Sequence, residues 1–275
     1  MSRKLGLAAI AAAMAILVGS VGARAEDALA KVKKAGELKV GTETAFAPFD
    51  FVDGADHKGL NVDLFAEIGK ELGVKITWVA LPWESVLPGL EAGKFDMVAG
   101  PATITKARME RYRFSPPIAE ATVALLKRAN DSSISKPEDI AGKVTGGGKA
   151  SAQLDQLKAF VATLPSKGEV REYVSNNEAY ADLAAGRIVA VGNSLPNIAY
   201  VASQRPDTFA VVQPPFGTKS YFGYIGAKDA DHASLMDAID AAMQKIKADG
   251  RLAAIQKKWF GLSFETPDKI TEPKV

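Results

Sequence analysis

The sequence contains no cysteine, which excludes disulfides, thiolate nucleophiles and zinc-thiolate sites. Only two histidines occur in 275 residues. His57 sits in the polar turn DGADHKG and His232 at a helix start, neither at a strand end, so both are expected at the surface. No Ser-x-x-Lys pair, nucleophile elbow or metal-ligand spacing is found, so the reading contains no catalytic residue, no metal and no cofactor. Charge of one sign is lacking too. Arg3 and Lys4 precede an apolar stretch from Leu5 to Val18 and then Ala23-Arg24-Ala25, the layout of a secretory signal peptide over residues 1–25. The competing reading, a membrane anchor, meets a run shorter than the roughly 20 residues a span needs. Removing that segment turns 34 basic and 32 acidic residues into 31 and 32. A chain so close to neutrality lacks the basic face of a nucleic-acid binder. An exported chain without disulfides must rely on its core, and a hydrophobic content of 47% permits one.

What is present is an alternation of strand and helix. LKVGT (38–42) reads as a strand, VDLFAEIGKELG (62–73) as a helix with Val62, Phe65, Ile68 and Leu72 on one face, KITWVAL (75–81) as a strand, WESVLPGLEAG (83–93) as a helix and FDMVAG (95–100) as a strand. This βαβαβ order predicts a parallel sheet covered on both faces. The order returns as GKVTG (142–146), SAQLDQLKAFVATL (151–164), EVREYV (169–174), NEAYADLAAG (177–186) and RIVAVGN (187–193), and LEAGKFDMVAG (90–100) lines up with LAAGRIVAVGN (183–193). Coincidence between two α/β segments competes with a true repeat, but the repeated element order favours two similar lobes. An apolar strand, EATVALLKR (120–128), joins them, the extended run VVQPPFGTKSYFGYIGAK (211–228) returns, and two helices end the chain. The expected division is lobe 1 over 26–119 plus 221–275 and lobe 2 over 124–214, with hinge crossings at 120–123 and 215–220. Two such crossings would let the lobes close on a ligand at the carboxyl ends of their strands.

Those ends hold the candidate residues. In GPATITKAR, Thr105 is a fair N-cap, which places Arg108 where the helix dipole disfavours a cation. A ligand carboxylate, bound bidentately and met by free N–H groups of the first turn, would relieve that conflict, with Thr103 adding a hydroxyl. Pairing with Glu110 or another surface acid is the alternative. Phe46 and Trp83 stand just past the first two strands and could flank a ligand body or belong to the core, whereas Phe49 reads as core. GGGKAS (146–151) fails the phosphate-loop pattern, since Lys143 stands where a glycine is needed and Ala150 where Ser or Thr is. Its glycines still free the backbone to approach a ligand, and Lys149 is either a second cation over the cleft or a solvated lysine.

With GTETAFAPFDF, GLNVDLFAEIGKELGVK, PWESVLPGLEAGKFDMVAGPATITKAR, RYRFSPPI, AGKVTGGGKAS and YFGYIGAK in order, the sequence resembles the family 3 solute-binding proteins of ABC importers, of the polar amino-acid type, over essentially the whole mature chain. The resemblance implies a bilobal periplasmic binding protein, a monomer that passes a small solute to an importer permease in the inner membrane. It implies that Arg108 binds a carboxylate, with Thr103 beside it and the Ala150 backbone N–H completing the site. Glu43, Phe46 and Trp83 would line the side-chain pocket, Asn61 stands where that pocket often has an acid, and the Pro101 carbonyl would contact the ligand ammonium. Gly100, Ser151 and Asn193, neighbours of these at the strand and helix ends, complete the candidate set.

One departure matters. Where the family places the aspartate that pairs with the α-ammonium, this chain has Ser194; Val189 also replaces an acid, and Lys149 replaces a small hydroxyl residue. The departure points away from standard basic amino acids and toward an analogue, an organic acid or an amine without a free α-ammonium. Two rival classes remain: an enzyme on the same scaffold, a dehydratase with Glu43 as its acid, and an extracytoplasmic sensor.

Overall fold

The computed structural model describes residues 27–263 and 265–275; the expected signal segment, 1–25, lies outside the described residues. Helix α1 (Ala28–Ala35) opens the chain, with the Asp27 carboxylate accepting from the Ala30 N–H at 2.9 Å and Gly36 ending it in the left-handed conformation. Strand β1 (Glu37–Thr42) leads into a small antiparallel sheet of β2 (Ala45–Phe46), β3 (Asp50–Asp53) and β4 (Asp56–Lys58). Then come α2 (Leu60–Leu72), β5 (Lys75–Ala80), α3 (Trp83–Glu91), β6 (Met97–Thr103), the short α4 (Lys106–Arg111), β7 (Tyr112–Phe114) and β8 (Ala119–Glu120). A second series follows: β9 (Val123–Arg128), β10 (Thr145–Gly148), α5 (Ala152–Thr163), β11 (Val170–Tyr173), α6 (Asn176–Ala184), β12 (Ala190–Ser194), α7 (Leu195–Gln204) and β13 (Phe209–Val212). Strand β14 (Tyr221–Ala227) and helices α8 (Ala233–Ala248) and α9 (Arg251–Phe260) complete it. Among the described residues no helix is long and apolar enough to cross a membrane.

The protein is bilobal, each lobe built on its own sheet. One sheet runs β5-β1-β6-β14-β7, with β8 also on β14, and the other β11-β10-β12-β9-β13. In both, the βαβαβ strands are parallel in the same order, the first between the second and third. The parallel pairing expected of the βαβαβ strands is present, and each sheet adds a strand beyond it: β14 joins β6 and β9 joins β12 antiparallel. The cause is where these strands come from. Each arrives from the other lobe at the carboxyl end of the parallel strands, Val123 opposite Ser194 and Phe222 opposite Thr103, and has to run back against them.

The cores follow the apolar patterns. Leu38, Val40, Met97 and Ala99 of the first sheet are fully buried against Leu64, Phe65 and Ile68 of α2. The buried stripe of α2 thus contains Leu60 and Leu64, while Val62, expected in it, is only half-buried. In the second lobe Leu126, Val191, Leu183 and Ile198 pack together. The aligned segments are the same structural device twice. The Gly93 N–H donates to Leu90 O at 2.9 Å and the Lys94 N–H to Gly89 O at 3.0 Å; the Gly186 N–H donates to Leu183 O at 3.1 Å and the Arg187 N–H to Asp182 O at 2.9 Å. Both glycines are left-handed, with φ of 67° and 74°, the helix stop in which glycine avoids the Cβ penalty.

The chain passes from β8 to β9 through Ala121 and Thr122, and returns from β13 to β14 through residues 213–220; the Ala121 N–H donates to Ser220 O at 2.8 Å. The strand expected over 120–128 is therefore broken between the lobes. Pro101 sits inside β6 without loss, because β1 pairs only with Met97 and Val98, and past residue 98 the strand has no parallel neighbour asking for its N–H. Sequence reading left 194–210 unassigned; α7 fills it, with Pro196 in the first turn, where a missing N–H is harmless.

Candidate functional site

The carboxyl ends of the two sets of parallel strands face each other across a narrow cavity. The first lobe contributes Glu43 just past β1, Phe46 of β2, Trp83 opening α3, and Pro101 and Thr103 of β6, with Arg108 reaching in from α4. Across it stand Gly148 and Lys149 at the end of β10, Ser151 and Gln153 at the start of α5, Asn176 at the start of α6 and Asn193 of β12. The lobes touch. Gln153 Nε2 donates to Thr103 Oγ1 at 3.2 Å, Trp83 Nε1 to Ala150 O at 3.2 Å and Asn176 Nδ2 to Ala45 O at 3.4 Å, and Asn197 donates to Ala47 O. On the rim, Lys149 Nζ lies 2.6 Å from Glu84 Oε2.

Arg108 is held as the sequence suggested. Thr105 caps α4 by accepting from the Arg108 N–H at 3.2 Å; the Arg108 guanidinium donates to Thr103 O at 3.1 Å and lies 5.4 Å from the centre of the Trp83 ring. Among the described residues no carboxylate forms an ion pair with it, so the pairing with Glu110 does not occur. Burial lowers its pKa from 12.5 to about 10, against the opposing charge of Asp155. A guanidinium that lines the cavity with one hydrogen bond of its own and no ion pair keeps donors for an anion.

Glu43 is the acidic counterpart. Burial, with the charge of Asp50 behind it, pushes its carboxyl up to about 8, so at neutral pH it carries a proton. Asp50 is fully buried and bonded to His57 Nε2 at 2.8 Å and to the Asn61 amide. Asn61 also donates to Ala99 O and accepts from the Tyr224 hydroxyl, both at 2.9 Å. Two sequence expectations fail here. His57 is tied into a buried network and lies edge-on to Trp78, rather than free at the surface. Asn61 is spent on Asp50 and Tyr224 and does not reach the cavity.

Three further candidates do not line it. Gly100 is buried behind Trp83 and Glu43, where an added Cβ would come within 3.4 Å of both. Ala150 is the described non-glycine residue with positive φ, 58°, and presents its carbonyl to Trp83. Ser194 is fully buried; its N–H donates to Asn193 Oδ1 at 2.8 Å and its hydroxyl has no partner. Asn193 turns into the wall instead, donating to Asn176 Oδ1 at 3.2 Å and Tyr180 OH at 3.0 Å. The glycines of GGGKAS mostly admit protein: a Cβ at Gly146 would strike the Tyr173 ring at 2.6 Å and one at Gly147 would meet Leu154 at 3.2 Å, leaving Gly148 to the cavity. Sequence reading missed Gln153 and Asn176. Both stand in the first helical turn after a strand end, the position that singled out Arg108. Among the described residues no group of three or more His, Asp or Glu gathers as a metal site.

A profile of the bacterial extracellular solute-binding proteins, family 3, matches residues 38–262. The L-cystine-binding protein TcyJ of Escherichia coli (strain K12) is 30% identical over 264 residues, covering 94% of this chain and 96% of its own. The lysine/arginine/ornithine-binding periplasmic protein of the same strain is 30% identical over 257 residues, covering 90% and 95%. Among solved structures, an ancestral arginine-binding protein bound to glutamine superposes with a TM-score of 0.74 at 32% identity, over 82% of this chain and 98% of that one.

Proposed function

The chain belongs to family 3 of the bacterial extracellular solute-binding proteins, and from that premise we propose that it is the periplasmic solute-binding subunit of an ABC importer, capturing a small carboxylate-bearing solute between two closing lobes and delivering it to a membrane permease. The solute is an amino acid or a close analogue. The observation that carries this reading is Arg108: a half-buried guanidinium, held by Thr103 O and the Trp83 ring, with no carboxylate among the described residues for an ion-pair partner. A buried charge is costly until it is paired, and a solute carboxylate supplies the partner. The Thr103 hydroxyl and the Ala150 N–H, which donates to no described group, complete the carboxylate site. Phe46 and Trp83 hold the solute's body, the Pro101 carbonyl takes a donor, Ser151, Gln153 and Asn176 supply the second lobe's polar contacts, and Asn193 holds Asn176 in place. Lobe 1 spans 26–119 and 221–275, lobe 2 spans 124–214, and closure turns about the crossings at 120–123 and 215–220 in a monomer made with a cleaved signal over 1–25.

The solute leaves unchanged, since no described group beyond Glu43 could move a proton in the cavity. Prephenate or arogenate incubated with the protein is expected to be recovered intact. The main test is a thermal-shift screen of amino acids and organic acids, each beside its primary amide or methyl ester, because a bound ligand raises stability as RT ln(1 + [L]/Kd). At least one free acid should raise Tm while its amide and ester do not. Equal shifts from the blocked compounds would overturn the carboxylate assignment.

A further inference from the structure

Glu43 supplies the single carboxyl among the residues lining the cavity. It is 8% exposed, and no amide, hydroxyl or cation of the described chain bonds to its carboxyl oxygens. The groups around it leave it in that state. Asp50 of β3 is a second acid, already bonded to His57 and Asn61. The Tyr180 hydroxyl of α6, whose ionisation Glu43 further opposes, is bonded to Asn193 and Asn197. Arg108 of α4 bonds to Thr103 O and stands over the Trp83 ring without bonding to Glu43, and Lys149 beyond β10 is paired with Glu84. The opposite wall offers Ser194, uncharged and not lining the cavity. A cationic group brought in by the solute therefore has one anion to meet.

Resting on the carboxylate reading above, we propose that Glu43 registers whether the solute carries a cation: an ammonium-bearing solute is held with Glu43 ionised, and a solute lacking the ammonium is held with Glu43 protonated. In the first complex carboxylate and ammonium pair as ions; in the second the carboxyl keeps its proton or draws one from solvent as the cleft closes. Whatever the state of Glu43 in the open protein, the two complexes differ by one bound proton. With burial holding the unpaired carboxyl at about 8, the preference for the ammonium-bearing solute grows with pH from the ordinary carboxylate range up to about that value. One proton of difference corresponds to about tenfold in the affinity ratio per pH unit.

The experiment is a displacement titration at pH 6 and pH 7 with glycine, L-alanine, L-glutamine and L-arginine, each beside the analogue in which hydrogen replaces the α-amino group, on the parent, Glu43→Gln and Arg108→Ala. For at least one pair, the parent's ratio of amino acid to deaminated affinity should rise about tenfold from pH 6 to pH 7. In Glu43→Gln that ratio should be independent of pH, with the amino acid weakened roughly thirtyfold or more and the deaminated acid unaffected. A parent ratio constant with pH for every pair that binds, or a Glu43→Gln protein that keeps the parent's slope, overturns the proposal. The carboxylate reading fails separately, by undiminished binding of both members of a pair to Arg108→Ala or by a panel in which nothing binds, and the second result removes this proposal with it.

Discussion

The two lobes share one plan and divide the chemistry unequally. Each sets three parallel strands in the same order, stops its second helix with the same glycine hydrogen-bond pattern, and presents its strand ends to the cavity. The first lobe brings ionisable groups and rings there: Arg108, Glu43, Phe46 and Trp83. The second brings amides and backbone, namely Gln153, Asn176, Asn193 and Gly148, and its one cation, Lys149, stays on the rim with Glu84. Charges that need exact surroundings are fixed within one rigid lobe by local partners, as Thr103 O and Thr105 fix Arg108. Amides both donate and accept, so they suit a surface that arrives from the other side. Duplicated architecture thus leaves room for one half to recognise and the other to complete.

The sharpest way to break this comparison is Arg108→Ala. Removing a buried, hydrogen-bonded charge at a ligand costs about 2–5 kcal/mol, or roughly thirtyfold to several thousandfold in affinity, while Gln153→Ala is expected to cost about 1 kcal/mol. Calorimetric titration of both variants with the same solute should separate the lobes by at least about fivefold.

Next in size is the pH dependence of the solute-free protein. A carboxyl raised to about 8 in the fold, from 4.5, binds more protons folded than unfolded. Its stabilising effect is complete below the unfolded pKa and is lost as pH rises toward 8. Glu43→Gln has no such loss, so its unfolding free energy relative to the parent should increase by roughly 3 kcal/mol between pH 5 and pH 8, read from thermal melts. Smaller again, and equal in the two lobes, are Gly93→Ala and Gly186→Ala, each expected to cost about 1–2 kcal/mol for placing a Cβ in a left-handed turn; denaturant midpoints that differ widely between them would show the repeat to be superficial. Lys149→Ala is the mildest. It should leave the melting temperature unchanged and raise the solute dissociation rate severalfold in low salt, an effect that added salt removes because an exposed pair is screened.

Much of this molecule could be read from its letters, and the failures have physical causes. The strand-helix alternation is legible because the helices bury one face while the inner strands are buried on both, and Arg108 could be found because a cation at a helix start breaks a local rule. Strand direction was not legible, since an apolar run such as VALLKR reads the same whichever way it enters a sheet. Helix α7 was obscured by Pro196 and Asn197, residues that signal loops except in a first turn. The burial of His57 depends on Asp50, seven residues earlier across a tight pair of strands, and no spacing rule connects them. The family resemblance puts Asn61 and Ser194 at the cavity, whereas their side chains are used up in or hidden behind its walls.

Strand β14 has a consequence for the order in which the molecule can assemble. It lies between β6 and β7 in the first sheet, and Phe222, Tyr224 and Ile225 on it are fully buried, yet it is synthesised after the whole second sheet. A chain emerging amino end first can close the second sheet from contiguous sequence, while the first keeps an open interior edge until residues 221–227 arrive. Contacts of such long separation are slow to form because loop closure must precede them. The half of the protein made first is therefore the half finished last, and the two lobes join into one cooperative unit only when the carboxyl-terminal fifth, residues 221–275, is in place.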